Sequence, residues 1–512
     1  MPTLPLPTER PKWYDVEEDH RCDEMKGWTP KTSDITSHSE NREITDAWNG
    51  TYYPPSPRNY TIKINRLKVL SPIQVGGESF SEGGTLPAQI NGVPCIPGSS
   101  SRGAFLSWLR DNLTHFPKGE QTFWSSLIAK DGKAWQPRKI RFETILLKQL
   151  KPYPLNAQQL WQVFDERTRN LGVQWQVSPK HPPNPNADTF DLNIIIKPTP
   201  TEDEKKWVQQ RINEFLEQRG IGRGTASGFG RLGRKIPDGK WEIEITGMKP
   251  CVQPHDLKKN QTGQYRWSPQ VLRANLRSYF TRLALAWLNS AQAKQLTDKI
   301  FGGFKSPARL VLTSYLRLIP RTINNEANQQ GYSNIPAREA HQVWCIPVNC
   351  NDELKDLVAN LLELSSRLGG LGPGWRRPPH QMNRGVFRGS QFSYSPNQSD
   401  LPISDLIQRL YEQVKSLAQK YDYNLFNAPQ RCAGGINSIW QGEPDQWEDI
   451  VHGVCRTNDN PNRPDWCGNS NTHPSGYSVR QYEDSCLVTV FDPAVEPTLR
   501  SRDFQCIWQV RA

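Results

Sequence analysis

The sequence lacks a long apolar run. Its start, MPTLPLPTERPKWYDVEED, has no hydrophobic h-region, and no stretch approaches the ~20 apolar residues of a membrane-spanning helix. The expectation is a cytoplasmic protein with no membrane partner. Cysteine is sparse: 10 in 512 residues, with no C-x-x-C pair, which excludes a disulfide scaffold and leaves reduced thiols as the expectation. There is no GK[ST] ending of a nucleotide P-loop and no H-E-x-x-H zinc-protease motif. No Ser-His-Asp set is apparent either, although sequence conceals such triads easily. Acidic residues are outnumbered, 52 Asp and Glu against 63 Lys and Arg, for a formal charge of +11. That balance favours a polyanionic partner and says nothing about fold.

What the chain does have is a basic glycine loop. Residues 219–235 read RGIGRGTASGFGRLGRK, with six glycines among four arginines and a lysine. Glycine lets the backbone adopt positive φ and press close to a ligand, and successive backbone N–H groups then form an anion-binding concavity. Arginine adds a planar fork of donors suited to phosphate. The candidate phosphate-binding residues here are Arg219, Gly220, Gly222, Arg223, Gly224, Gly228, Phe229, Gly230, Arg231 and Arg234. A flexible surface turn is the bland alternative, since glycine enrichment alone is a weak signal.

At 512 residues several domains are expected. Residues 1–57 are polar and rich in Pro, Ser, Thr, Asp and Glu, so they form an arm that cannot fold alone. From Tyr60 the alternation in YTIKINRLKVL predicts a strand. PCIPGSSSRGAFLSWLRDNL then predicts a turn and an amphipathic helix over 104–113, capped by a serine among Ser99, Ser100 and Ser101. Arg102 in its first turn opposes the helix dipole, a placement that favours a bound anion. Strand signals follow at 138–150 and 192–198, with helices at 156–171 and over EDEKKWVQQRINEFLEQRG, the latter running into the glycine loop.

The pattern then repeats. QVWCIPV predicts a strand and NDELKDLVANLLELSSRLGG a helix ending in GLGPGWRR, so that Gly220, Gly222 and Gly224 recur 150 residues later as Gly370, Gly372 and Gly374. Arg376 and Arg377 follow. Upstream, WSPQVLRANLRSYFTRLAL matches the earlier helix, with Arg273 in the place of Arg102 and Arg277 one turn on. Two βαββαβ units in tandem are implied, an α+β chain of two ferredoxin-like (RRM-like) domains with antiparallel sheets. The expected boundaries are 58–250 and 251–400, although WEIEITGMKP (241–250) could close the first copy or open the second. Residues 401–512 add a helix, a loop-rich segment and two closing strands, SCLVTVFDP and FQCIWQV.

Pro97, Gly98, Ser99, Ser100, Arg102 and Gly103 together with Gly220–Leu232 resemble the turn and glycine-rich loop of the RAMP superfamily of CRISPR-associated proteins. The second half is similar more loosely, through LRANLRSYF, IFGG and LGGLGPGWRR, and the resemblance spans about residues 58–400. It implies an RNA-binding backbone subunit of a type III effector complex, whose partners are CRISPR guide RNA, target RNA and the other subunits. Such holding needs no cofactor.

The resemblance also raises a second function. The family's target-cutting subunits carry an Asp between the first strand and the PGSS turn, where this chain has Glu78 and Glu82. In the second copy the corresponding loop offers His255 and Asp256, so an endoribonuclease using Mg or Mn, acting on target RNA or on precursor CRISPR RNA, is the alternative. An RNA-binding protein outside CRISPR systems would explain the charge but not the paired motifs. In the tail, Cys432, His452, Cys455 and Cys467 are weak zinc candidates because their spacing departs from the usual close pairs, and ordinary thiols rank ahead of zinc.

Overall fold

The computed structural model describes residues 59–76, 84–128, 139–154, 173–177, 189–237, 241–247, 269–317, 341–395 and 401–510, with short gaps inside these ranges, and Val163. The arm, the expected 156–171 helix, and the loops carrying Glu78, Glu82, His255 and Asp256 lie outside the described residues. Two compact units divide the chain near residue 237.

In the first unit the principal elements are β1 (Ile62–Val69), β2 (Ile73–Val75), α1 (Gly98–Asn112), α2 (Lys118–Leu127), β3 (Ile140–Phe142), β4 (Thr189–Ile196), α3 (Glu202–Gln218) and β5 (Leu232–Gly233). The sheet order β5-β1-β4-β3, antiparallel throughout, is that of a ferredoxin-like βαββαβ unit. The alternation seen in the sequence becomes one buried face: Ile62, Ile64 and Leu67 point into the core while Lys63, Asn65 and Lys68 are exposed. Phe105 of α1, fully buried, lies with its ring 5.4–5.6 Å from those of Trp124, Phe142 and Phe215, joining both long helices, α2 and the sheet. α3 starts at a capping box in which Thr201 Oγ1 accepts from the Glu204 amide and Glu204 Oε2 accepts from the Thr201 amide. α2 is tied to α3 by an ion pair in which buried Glu120 accepts both from Arg211 Nε (2.7 Å) and from its Nη2 (2.8 Å).

The second unit repeats the plan. β6 (Trp241–Gly247), α4 (Pro269–Ala284), α5 (Ser290–Phe301), β7 (Tyr315–Arg317), β8 (His341–Ile346), α6 (Asp352–Leu368) and β9 (Ser390–Ser395) give the sheet order β7-β8-β6-β9, again antiparallel. Trp241–Gly247 pairs with β8 and β9, so this strand opens the second copy, and the expected first domain loses its last ten residues or so.

α7 (Ile403–Lys420) packs its apolar stripe, Leu406, Ile407, Leu410 and Val414, into the same core as α4 and α6. Beyond it stands a further sheet of four strands where the sequence suggested two: β10 (Ser438–Gly442), β11 (Tyr477–Gln481), β12 (Cys486–Val490) and β13 (Gln505–Gln509), in the order β11-β12-β10-β13. Ile439 and Leu487 join the core of the second unit, whereas Trp440 and Val488 face a separate core with Trp447, Trp466 and Tyr477. β12 is therefore buried on both faces and shows no period-2 pattern.

Candidate nucleic-acid interface

The glycine loop of the first unit leaves α3 and returns at β5, and backbone bonds hold it shut. The Ile221 amide donates to the Gly230 carbonyl, the Gly230 amide to Pro72 and the Arg223 amide to Gln74, each at 2.9 Å, so the loop is pinned along β2. Gly220, Gly222, Gly224, Gly228 and Gly230 all have positive φ. At Gly230 a Cβ would lie 1.8 Å from the Ile221 carbonyl oxygen, and at Gly222 2.5 Å from that of Gln74. No L side chain fits there, so the glycines build the loop as much as they expose it.

Arg231, expected at the RNA, is instead completely buried. Its guanidinium donates to the carbonyls of Thr225 (2.8 Å), Phe229 (2.9 Å) and Arg219, the last being the C-cap residue of α3. A helix leaves its final carbonyls without intrahelical donors, and Arg231 supplies one. Phe229, also buried, fills the loop interior instead of offering a stacking face. Gly228 and Gly230 are buried with it.

What reaches solvent is a shorter set: Gly222, Arg223 and Gly224 at one edge, Arg234 and Lys235 at the other. Arg219 is half-buried, 3.7 Å from the Asp111 carboxylate. Burial raises the pKa of the Glu217 carboxyl nearby, against the pull of Lys235. Ser99 and Ser100 are exposed in the first turn of α1, and Arg102 is partly exposed. α1 starts at Gly98 with Pro97 as N-cap and no side-chain cap bond, so the serines sit inside the first turn and do not cap it. Asp111, which Arg219 faces, is in the last turn of the same helix, about 18 Å from the serines at 1.5 Å per residue. The structure therefore leaves two exposed edges on the loop and sets the serines apart from Arg219.

The second copy is arranged differently. Arg273 occupies the fifth position of α4, as Arg102 does in α1, but donates to the carbonyls of Phe301 and Gly302 at the end of α5. Burial, with Arg277 beside it, pushes its pKa down to about 10. Arg277 is paired with Asp298 at 2.5 Å. Gly370 is buried, its amide donating to Trp375 and its carbonyl accepting from Asn275 Nδ2, both at 2.8 Å. Arg376 and Arg377 are half-buried, and Gly372 and Gly374 lie outside the described residues.

The zinc candidates do not converge. Cys455 and Cys467 are joined as a disulfide, which corrects the expectation of reduced thiols for this pair. His452 lies with its ring 5.1 Å from that of His380, and Cys432 Sγ donates to the Leu285 carbonyl. Among the described residues no group of three or more His, Cys, Asp or Glu is placed to hold a metal ion. Among them, too, no helix is long and apolar enough to cross a membrane.

The family model of the RAMP superfamily matches residues 66–233. The first unit is a RAMP module. The match runs from within β1 to the last residue of β5 and so takes in all but the start of the βαββαβ unit, glycine loop included. No curated protein matches the chain. Among solved structures, the apo crystal structure of Cmr1 from Pyrococcus furiosus is similar at 13% identity and a TM-score of 0.30, over 53% of this chain and 99% of that one. A likeness that loose carries no argument about function.

Within the RAMP module, sequence reasoning missed Lys68, exposed and paired in register with Gly233 next to Arg234, and Gln74. Gln74 is buried under Gly224, and its amide nitrogen has no hydrogen-bond partner among the described residues. An unspent buried donor is costly unless something supplies an acceptor. Only pairing register, set by residues far apart in sequence, could have revealed either.

Proposed function

We propose that the chain is an RNA-binding structural subunit of a type III CRISPR interference complex, and that the glycine loop of its RAMP module holds guide RNA or the guide–target duplex. The observation that carries this reading is the exposed edge Gly222–Arg223–Gly224 on a loop whose base is fixed by Arg231 and β2. Arg223, Arg234 and Lys235 neutralise phosphates, while the glycines let the RNA backbone approach without meeting a side chain. A base already ordered by internal hydrogen bonds loses little conformational freedom on binding. Neighbouring subunits would share the same RNA. Holding RNA this way uses no cofactor, and Mg or Mn enters only if the chain cuts RNA. The nuclease reading rests on Asp256 and His255, and no observation among the described residues favours it.

The test is the identity of the bound RNA. The full chain, recovered from cells that carry a CRISPR array, should bring down repeat-derived guide RNA as the dominant sequenced species. RNA recovered in proportion to its cellular abundance would refute the CRISPR assignment.

A further inference from the structure

The two copies end their second long helix at the same place in the fold and satisfy its last carbonyls in different ways. In the RAMP module the donor is internal: Arg231 bonds the Arg219 carbonyl. In the second unit the donors come from the C-terminal sheet. Tyr482 Oη donates to the Arg367 carbonyl (3.1 Å) and Ser478 Oγ to that of Leu368 (3.0 Å), the last residue of α6. The sheet then follows the chain through the described part of the loop. The Val479 amide donates to the Arg376 carbonyl (2.9 Å), and Arg376 Nη1 donates to the Cys467 carbonyl (3.0 Å). A Cβ on Gly369 would stand 2.8 Å from Tyr279 Oη and in ordinary contact, 3.7 Å, with Ser478 Oγ, so the strand lies directly against this glycine.

The apolar side of the same junction is closed by Arg282 of α4. Its guanidinium sits 3.6 Å over the Phe491 ring and 5.9 Å from that of Trp375, and Nη1 donates to the Gly434 carbonyl (2.7 Å). Burial pushes its pKa down to about 9, so at neutral pH it remains a cation held between aromatic faces. These contacts hold both described ends of the second loop, Arg367–Leu371 and Trp375–Arg377, with residues 467–491 of the same chain.

We propose that the two described ends of the second glycine loop, Arg367–Leu371 and Trp375–Arg377, are a docking face for the chain's own C-terminal sheet and take no RNA, so that the RNA-holding glycine loop is the first and not the second. The proposal rests on the RNA-binding reading of the first loop, and the docked chain already engages the Arg376 guanidinium, a donor that a phosphate would need, while strand β11 lies against the Leu368 and Arg376 carbonyls. The C-terminal extension thereby does for the second copy what Arg231 does for the first, from outside the βαββαβ unit.

The test uses the full chain and a fluorescein-labelled single-stranded RNA, with amide hydrogen exchange as a second readout. Arg376→Ala with Arg377→Ala should bind RNA within about twofold of the native chain, whereas Arg223→Ala, Arg234→Ala and Lys235→Ala together should lose about tenfold or more. The Val479 amide should stay protected at saturating RNA, and Ser478→Ala should speed its exchange with or without RNA. An Arg376/Arg377 variant that loses as much affinity as the first-loop variant, or RNA that deprotects Val479, overturns the proposal. If the first-loop variant binds like the native chain while Val479 stays protected and responds to Ser478→Ala, the docking stands and the RNA-binding reading of the first loop fails.

Discussion

The guanidinium of Arg231 donates to three main-chain carbonyls inside the loop, while Arg223, eight residues earlier, is exposed. Both residues carry the same charge in the same basic stretch, so charge does not distinguish them. Position against β2 does: the Arg231 amide donates to buried Ser71 Oγ (2.9 Å), which turns its side chain inward. A lysine at 231 keeps the charge but is a point donor that cannot span three carbonyls. Arg231→Lys should therefore destabilise the chain by about 2 kcal/mol in denaturant unfolding, through carbonyls left unsatisfied. Arg223→Lys, at an exposed site, should change stability by less than about 0.5 kcal/mol. Equal unfolding midpoints for Arg231→Lys and the native chain would show that the buried fork is dispensable.

At the scale of elements, α1 carries Gly103 on its exposed face, with no atom of the described residues within 4 Å of where a Cβ would be. A helical glycine costs about 1 kcal/mol relative to alanine, and nothing among the described residues crowds this one. Open space beside a glycine in the RAMP turn-to-helix fits close approach by a partner. Gly103→Ala should raise stability by about 0.5–1 kcal/mol and weaken RNA binding; a stabilised variant with native affinity would place the RNA elsewhere on α1. The same scale shows what the sequence could disclose. α3 and α6 were legible because their apolar spacing is helical and each runs into a glycine cluster, and the offset of 150 residues between the clusters exposed the duplication. α2 and α5 were missed because each is short and its buried side is decided by tertiary partners, such as the Glu120–Arg211 pair. β10 (SIWQG) and β11 (YSVRQ) were missed because each is five residues long with only two large apolar side chains, too short a pattern to stand out in a polar, loop-rich stretch. Which arginine of the first loop would turn inward depends on Ser71 and β2, more than a hundred residues away, and no local pattern encodes it.

For the whole molecule, a duplicated ferredoxin-like plan has diverged at its loops. One loop closes on itself through Arg231 and presents Arg223, Arg234 and Lys235; the other is held by the C-terminal sheet. A net charge of +11 favours RNA in general, but only phosphates met by particular cations register in the salt dependence of affinity. The most direct measurement is therefore the slope of log affinity against log salt for single-stranded RNA, comparing the native chain with the combined Arg223→Ala, Arg234→Ala and Lys235→Ala variant. Loss of three phosphate contacts predicts a slope shallower by about 2, since each contact on a single strand contributes about 0.7. An unchanged slope would mean that the RAMP module's glycine loop is not where this chain holds RNA.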